Sequence, residues 1–222
     1  MLDYGFDAYC HGLCELVLQS RPARVYELAI GTGWPFAETF LRKGIFVAGS
    51  DISELLVNRI KEQFPQIEVE AVGYDDLDAA KHDPFDVVYC LRSTWYFPDV
   101  FRAIDKMCHL TKRGGRMIFD IMNADSKSIK LAVICHKIAY PVNITKNIMK
   151  RILNRWFGGT YMLQDPWNIH ELPVSGAAIE AYLLNRGIAY RVYSVHDITA
   201  ASKKVRRAPL GAERKLIFEC QM

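Results

Sequence analysis

The residues best suited to chemistry lie around a pair of glycines near the N-terminal end of the chain. Gly31 and Gly33 follow an apolar run that contains Glu27, and Asp51 ends a second apolar run roughly 20 residues further on. Glycine lets a backbone turn sharply and approach a ligand closely, because it has no Cβ. A carboxylate at the end of the second strand is where open α/β folds bind ribose hydroxyls. This spacing predicts a site for an adenosine-type cofactor.

A strand, a tight turn and a helix must position these side chains. Val25 to Ile30 reads as a buried strand, and Pro35 suits the first turn of a following helix, where its missing N–H has no partner to lose. The free N–H groups at the start of that helix point at whatever lies above the strand end. Residues 44–51 read as a second buried strand, so the segment predicts a parallel strand–helix–strand unit.

Two residues argue against a dinucleotide as the ligand. The G-x-G-x-x-G/A pattern of dinucleotide folds needs a small third residue for close helix–strand packing, and Phe36 occupies that position here. Glu27, inside the strand before the turn, would repel a pyrophosphate and attract a cationic group such as an ammonium. The expected ligand therefore carries an adenosine and a positive charge rather than two phosphates.

The run from Glu27 to Gly33, Glu-Leu-Ala-Ile-Gly-Thr-Gly, resembles the first motif of class I S-adenosylmethionine (SAM)-dependent methyltransferases, E/D-x-G-x-G-x-G. Ala29 stands at the first glycine of that motif, so we expect slightly less room beside the methionine part of the cofactor. The resemblance covers about residues 20–122 and 173–222. It implies SAM as the cofactor and methyl transfer as the activity.

The order of the predicted elements also resembles that family. Five strands alternate with helices up to about residue 122, and segments 189–195 and 216–221 form a closing β pair. The resemblance implies a Rossmann-like, doubly wound α/β fold, whose mostly parallel seven-stranded sheet has an antiparallel C-terminal strand. We expect residues 1–222 to form a single methyltransferase-like domain, in which 124–172 is a helical lid or insertion after strand five.

The resemblance assigns parts of the cofactor to particular side chains. It implies that Glu27 faces the methionine ammonium, that Asp51 binds the ribose, and that Ile52 packs on the adenine. The acid that takes the adenine amino group is Asp75 or, as a second choice, Asp76, although a solvated turn explains either residue equally well. The expected cofactor-binding residues are Tyr9, Glu27, Ala29, Gly31, Gly33, Asp51, Ile52, Asp75, Asp76 and Leu91.

The acceptor side of the site is less clearly marked. Arg92, Trp95 and Tyr96 follow strand four, at the carboxyl end where ligands of open α/β sheets bind. Arg92 can hold a substrate carboxylate or phosphate through paired N–H groups, and Trp95 can wall the pocket; alternatively, these residues only pack the next helix. The D/N-P-P-Y/F motif of enzymes that methylate nucleobase amino groups is absent here. Tyr9 belongs to an N-terminal helix that either packs on the sheet or closes over the cofactor.

A general base is needed only when the acceptor is a hydroxyl or a protonated amine. His170 is the predicted base and Tyr96 a polar pocket residue, while a surface or capping role is the alternative for His170. Methyl transfer from a sulfonium is an in-line displacement, in which the protein mostly aligns the reactants and excludes water. The acceptor itself, an O or N nucleophile on a small molecule or a lipid-linked compound, is not identified by the sequence.

Composition restricts the partners and the location of the protein. The 222 residues carry a formal net charge of +3, which is too small to indicate a nucleic-acid ligand. No apolar run reaches membrane-spanning length, and the N-terminus lacks a signal-peptide pattern. The six cysteines contain no C-x-x-C pair, so we expect no metal site. We expect reduced, buried thiols in a cytoplasmic protein.

The insertion carries an excess of positive charge. Within 124–158 many lysines and arginines accompany a single acid, Asp125. In the predicted helix 143–157, apolar residues fall on one side and Lys146 and Lys150 on the other, at about 100° per residue. A basic, Trp-containing amphipathic helix can make peripheral contact with an anionic membrane or cover an anionic or amphipathic substrate. The alternative is a lid whose lysines only face water.

Three functions remain open from the sequence alone. The favoured one is a SAM-dependent methyltransferase. A catalytically inactive methyltransferase-like binding or scaffold protein is compatible with Ala29 and with the altered motif after strand four. A nicotinamide-dependent oxidoreductase is disfavoured by Phe36 and Glu27.

Overall fold

One mixed sheet organises the computed structural model, which describes residues 8–131, 134, 145, 148–150, 152, 172–199 and 213–222. Its strands are β1 (Arg24–Leu28), β2 (Phe46–Asp51), β3 (Glu68–Ala71), β4 (Phe85–Cys90), β5 (Thr111–Met122), β6 (Ala189–Ser194) and β7 (Lys215–Gln221). Their order in this seven-stranded sheet is β3-β2-β1-β4-β5-β7-β6. Strands β1 to β5 run parallel, and β7 is antiparallel to β5 and β6. The predicted Rossmann-like α/β fold is confirmed.

Helices flank this sheet on both sides. They are α1 (Ala8–Leu18), α2 (Phe36–Arg42), α3 (Glu54–Gln63), α4 (Val100–Leu110), α5 (Gly176–Asn185) and α6 (Val195–Thr199), with 3₁₀ turns at Ala79–Lys81 and Thr94–Tyr96. Short polar residues set several helix starts, because their side-chain oxygens satisfy N–H groups that lack a partner in the first turn. Ser53, Asp99 and Ser175 cap α3, α4 and α5 in this way. The sequence predicts the cap at Ser53, because a serine there precedes a helical stretch that Pro65 ends, and the structure agrees.

The direction in which strands are added reverses between β1 and β4. Strands β2 and β3 lie on one side of β1, whereas β4 and β5 lie on the other. In open parallel sheets such a reversal leaves a crevice outside the carboxyl ends of the strands, and ligands bind there. The loops that follow β1, β2 and β4 meet at this edge, so the segments that carry the predicted site residues come together.

Each face of the sheet carries its own apolar core, because successive side chains of a strand point to opposite faces. Tyr26 and Val88 pack with α4 and α5 on one face. Val25 and Val87 pack with α1 and α2 on the other face. Strands β1 and β4 are therefore buried on both sides, which explains their near-continuous apolar sequences.

Strand β5 begins earlier than the sequence predicts. The glycine pair at 114–115 in the sequence predicts a turn, followed by a strand over 116–122, but β5 begins at Thr111 and includes that turn. The pairing with β4 shifts register between Phe85 and Val87. A bulge of this kind accommodates extra residues without ending the strand. Helix α6 is a further element that the sequence analysis does not predict.

The structure describes the insertion after β5 in part. The sequence predicts helices over 126–139 and about 143–157. Residues 127–131, 134, 145, 148–150 and 152 are helical and fall within these two stretches. The insertion leaves and rejoins the sheet at one place, because Ala124 N–H donates to the Val174 carbonyl and Val174 N–H donates to the Met122 carbonyl, both at 2.9 Å. In the described part of the chain, no helix combines the length and the apolar character needed to cross a bilayer.

Candidate active site

A cavity of about 510 Å³ opens where the strand order reverses, at the carboxyl ends of β1, β2 and β4. Small-molecule sites typically occupy roughly 300–1,000 Å³, so the cavity has the size of a cofactor site. Its wall combines backbone from the glycine turn with carboxylates and aromatic rings. The predicted site residues in this wall are Ala29, Gly31, Asp51, Ile52, Asp75, Asp76 and Tyr96.

Asp51 ties the loop after β1 to the end of β2. Its Oδ2 accepts a hydrogen bond from the Gly31 N–H at 2.8 Å, and its Oδ1 accepts one from the Ser53 N–H at 2.9 Å. The side chain is almost fully buried, yet it lines the cavity. Each carboxylate oxygen can accept a further hydrogen bond, so ligand hydroxyls can bind the same group. This geometry fits the ribose-binding role that the sequence analysis assigns to Asp51.

The turn after β1 uses left-handed backbone conformations. Gly31 has a φ of 59°, and a Cβ added there would meet nothing within 4 Å, so its backbone angle rather than space favours glycine. Ala29 also has a positive φ, of 60°. The left-handed conformation costs an L-residue about 1–2 kcal/mol, which explains why the motif usually has glycine at this position. Ala29 keeps the conformation of the motif and adds one methyl group to the cavity wall.

An apolar surface forms one end of the cavity. Ile52 lines the cavity and is 84% exposed to solvent. The rings of Tyr74 and Phe97 lie 4.7 Å apart in the same wall. An isoleucine side chain and aromatic rings of this kind provide an apolar surface that suits a flat purine base. The sequence analysis misses Tyr74 and Phe97 as site residues, and the only available signal was an aromatic residue directly after Gly73.

Two carboxylates follow β3 at the same end of the cavity. Asp75 forms a solvent-exposed ion pair with Arg102, whose Nε lies 3.0 Å from Asp75 Oδ1. The Asp76 N–H donates to the Gly73 carbonyl at 3.1 Å and closes the turn. Both side chains line the cavity, so either can accept a hydrogen bond from an amino group of a ligand.

Glu27 is 4% exposed and is not part of the cavity wall, although Leu28 and Ala29, which follow it, are. Its Oε2 accepts a hydrogen bond from the Tyr89 hydroxyl at 3.0 Å. Burial raises the pKa of Glu27 well above its usual range; the Tyr89 hydrogen bond opposes this effect and the charge of Asp51 adds to it. A cation bound nearby would favour the ionised form of this carboxyl group.

Two other predicted cofactor residues support the cavity from outside its wall. Leu91 is buried in the core on the α1 side of the sheet. Gly33 turns the chain toward α2 with a φ of 73°, and a Cβ added there would contact Ala37 and Ile60. Both residues shape the loops that carry the wall, rather than facing the cavity themselves.

A second group of predicted residues lies on the α1 side of the loop after β4. The Tyr9 hydroxyl donates to Asp120 Oδ2 at 2.8 Å, and the Arg92 N–H donates to Asp120 Oδ1 at 2.7 Å. The Arg92 guanidinium approaches Cys10 Sγ at 3.6 Å, and Trp95 is buried. Tyr9, Arg92 and Trp95 are therefore brought together, but outside the cavity. The sequence analysis misses Asp120, the residue that joins Tyr9 and Arg92.

Of the two predicted catalytic residues, Tyr96 and His170, the structure describes only Tyr96. Tyr96 is 57% exposed and lines the cavity beside Trp95. His170 lies outside the described residues. Across the ranges that the structure describes, no group of three or more His, Cys, Asp and Glu side chains is arranged to hold a metal ion.

The sequence matches a family model over residues 1–200, and that family is described as a methyltransferase domain. The chain belongs to this family. Family membership favours the methyltransferase interpretation of the glycine turn and Asp51 over the dinucleotide-binding alternative.

Curated relatives match part of the sequence, and solved structures share the fold. A ubiquinone biosynthesis O-methyltransferase from Thiobacillus denitrificans is 33% identical over 115 residues, which are 50% of this chain and 49% of that protein. The chain thus spans about half the length of the curated relatives it matches. A SAM-dependent methyltransferase from Clostridium acetobutylicum superimposes with a TM-score of 0.62 and 15% identity, over 99% of this chain and 93% of that one. Magnesium protoporphyrin IX methyltransferase from Synechocystis, solved with bound SAM, has a TM-score of 0.57 and 14% identity, over 95% and 76%.

Proposed function

We propose that this protein is a SAM-dependent methyltransferase that transfers a methyl group to an O or N nucleophile of a small-molecule or lipid-linked acceptor. The observation that carries the proposal is the cavity at the reversal of strand order, in which Asp51 joins the left-handed glycine turn to the end of β2. Membership of the methyltransferase family supplies the class of reaction. When bound, SAM provides an activated methyl group on its sulfonium.

The cavity residues divide the cofactor among them. Asp51 binds the ribose hydroxyls, while Ile52 and the Tyr74–Phe97 pair hold the adenine. Asp75 or Asp76 accepts from the adenine amino group. This division is supported by the positions of these side chains in the cavity wall.

The methionine part of the cofactor extends toward the glycine turn. Glu27 attracts its ammonium, since it is the carboxylate that directly precedes the wall residues Leu28 and Ala29. Ser93 and Tyr96 line the cavity from the loop after β4 and face the side on which an acceptor approaches. The work of the protein in such a displacement is to align the nucleophile with the methyl carbon and to exclude water.

The insertion 124–172 is the proposed lid on the acceptor side. Its described C-terminal end is attached beside the cavity, because the Leu172 N–H donates to the Trp95 carbonyl at 2.6 Å. Trp95 directly precedes the wall residue Tyr96. His170 lies two positions before Leu172 in the sequence and stays the candidate base for a hydroxyl or protonated amine acceptor.

The described part of the insertion also presents apolar side chains to solvent. Lys127 and Lys130 are exposed in the same segment. Exposed apolar groups among basic residues are typical of surfaces that contact anionic membranes or amphipathic ligands. We therefore propose an anionic or amphipathic acceptor, reached at a membrane surface through 143–157. The exposed apolar residues are Leu131, Ile134, Ile148, Met149 and Ile152.

Sedimentation with liposomes tests the membrane proposal. The protein should pellet with anionic vesicles but not with neutral ones, and the pelleted fraction should fall at 1 M salt, where charges are screened beyond about 3 Å. A triple change of Lys146, Lys150 and Arg151 to Glu should abolish pelleting. The matched control makes the same change at the exposed residues Lys43, directly after α2, and Arg59 and Lys61, on α3. If the control variant loses pelleting to the same extent, or if no pelleting occurs at all, the membrane proposal is wrong. The insertion would then act only as a substrate lid.

Methyl transfer itself is the decisive experiment for the proposed function. The protein should bind S-adenosylhomocysteine but not NAD in calorimetry, and it should transfer label from methyl-labelled SAM to a fraction of a metabolite or lipid extract. Cofactor binding without transfer to any extract would favour a methyltransferase-like binding protein that has lost catalysis.

A cytoplasmic location is proposed from the cysteines. The five cysteines in the described ranges form no disulfide, and Cys10, Cys14, Cys90 and Cys220 are buried. Buried free thiols without disulfides are typical of proteins in reducing compartments.

A further inference from the structure

Asp120 is a fully buried carboxylate close to the carboxyl end of β5. It is 0% exposed, and its Oδ1 and Oδ2 accept hydrogen bonds from the Arg92 N–H and the Tyr9 hydroxyl. Burial raises the pKa of Asp120, whereas these two hydrogen bonds and the charge of Lys215 oppose the rise. Burial raises the pKa of Cys90, and the nearby charge of Asp120 adds to this rise. Burying a carboxylate costs several kcal/mol, so an interaction or a function is expected to offset that cost.

Tyr9 lies near both Asp120 and a half-buried cationic side chain, Lys215. Tyr9 is half-buried on α1, and its ring lies 5.7 Å from the Lys215 Nζ. The same ammonium lies 4.3 Å from the Trp95 ring centroid. Lys215 pairs with Met122 across β5 and β7, which places it at the carboxyl edge of the parallel strands. The Tyr9 ring, the Trp95 ring and the Lys215 ammonium therefore lie together near the edge where ligands bind.

This cluster adjoins the cofactor cavity through one loop. Arg92 and Thr94 both donate to Asp120, through the Arg92 N–H and through the Thr94 hydroxyl to the Asp120 main-chain carbonyl. Ser93, between them in the chain, lines the cavity. An acceptor placed beside this loop would thus have the cofactor on one side and Tyr9 and Lys215 on the other.

Resting on the function proposed above, we infer that Tyr9, Asp120 and Lys215 form an acceptor site for a weakly acidic, phenol-like hydroxyl. The acceptor proton passes to the Tyr9 oxygen while the Tyr9 proton passes to Asp120. The Lys215 ammonium stabilises the oxyanion that develops. The acceptor oxygen then bonds to the methyl carbon, and the electron pair of the broken carbon–sulfur bond stays on sulfur. Tyr9 never becomes a free anion, because burial and the neighbouring Asp120 raise its own pKa far above neutrality.

The spectrum of 4-nitrocatechol tests this site, since its absorbance changes when a hydroxyl loses its proton. Bound to the protein loaded with S-adenosylhomocysteine, the probe should ionise at a pH lower by about one unit or more than in water, as expected near an opposite charge. Tyr9→Phe and Asp120→Asn remove the proton acceptor, and Lys215→Met removes the ammonium but keeps an apolar stem. Each should abolish most of the shift while leaving the affinity for S-adenosylhomocysteine unchanged.

Tyr193→Phe is the matched control, because the Tyr193 hydroxyl also donates to a carboxylate, Glu219, at 2.5 Å but on β6. It should retain the full shift. The inference is overturned if the probe does not bind, if it binds without a shift, or if the shift survives both Tyr9→Phe and Lys215→Met. Should Tyr9→Phe fail to fold, Lys215→Met alone decides. If the unaltered protein does not bind S-adenosylhomocysteine, the proposed function is contradicted instead.

Discussion

Replacing Asp51 by alanine is expected to weaken the binding of S-adenosylhomocysteine by roughly 1.5–3 kcal/mol, the range for losing a hydrogen bond to a charged group. This corresponds to about a 10- to 150-fold rise in Kd. The carboxylate is expected to accept from ribose hydroxyls while it holds the Gly31 and Ser53 N–H groups. The change therefore removes a ligand contact and also the brace that keeps the glycine turn against β2. Calorimetry on the purified variants gives the affinity directly.

Asp86→Ala provides a control of the same chemistry. Asp86 Oδ2 also accepts from two backbone N–H groups, of Ala23 at 2.7 Å and of Arg24 at 2.8 Å, but Asp86 is not part of the cavity wall. Its replacement should lower the free energy of unfolding and leave the affinity for S-adenosylhomocysteine unchanged. Asp51→Asn, which keeps one acceptor oxygen, should show a smaller loss than Asp51→Ala. A folded Asp51→Ala protein with unaltered affinity would remove Asp51 from the ribose site.

The parts of the site that the sequence predicts are those encoded over short distances. The glycine turn and the Ser53 cap depend on residues within a few positions of each other, so local spacing is enough. Asp51 is predicted because its place at the end of a strand follows from a recurring strand–helix–strand unit. The same reasoning predicts the sheet, since alternating strands and helices leave few ways to bury two apolar faces.

The acceptor side cannot be predicted from the sequence, because its contacts join residues that are far apart in the chain. The Tyr9–Asp120 hydrogen bond joins residues 111 positions apart, and its formation depends on how α1 packs across β5. Asp120 lies within an apolar strand, where a single acid has no periodicity to mark it. The start of β5 also depends on its pairing with β4. Thr111 pairs with Phe85 and Arg116 pairs with Val87, so the residues between them form a bulge within the strand. Such features depend on tertiary contacts rather than on local preference.

The second large effect is expected at Glu27, which the proposal pairs with the methionine ammonium. Glu27→Gln should weaken S-adenosylhomocysteine binding by roughly 1.5–3 kcal/mol, because a charge-assisted contact becomes a neutral one. Adenosine lacks that ammonium, so its affinity should stay within about twofold, a difference under 0.5 kcal/mol. Glu70→Gln is the control, since Glu70 also accepts from a tyrosine hydroxyl, that of Tyr26, but is not part of the cavity wall. Equal losses for both ligands would make Glu27 a structural residue only.

The raised pKa of Glu27 gives this prediction a pH dependence of known sign. The pKa of Glu27 is higher in the folded protein than in the unfolded chain. The stability that Glu27 contributes is therefore fully present at a pH below its pKa in the unfolded chain. It is lost as the pH rises through its pKa in the folded protein. The free energy of unfolding of the ligand-free protein should therefore fall over that interval, and Glu27→Gln should remove this fall.

The affinity for the ligand should show the opposite pH dependence. An ammonium favours the carboxylate, so binding should release a proton, and affinity should rise with pH over the same interval. Calorimetry in buffers of different ionisation enthalpy measures the released proton. Proton release that persists in Glu27→Gln would assign the titrating group elsewhere.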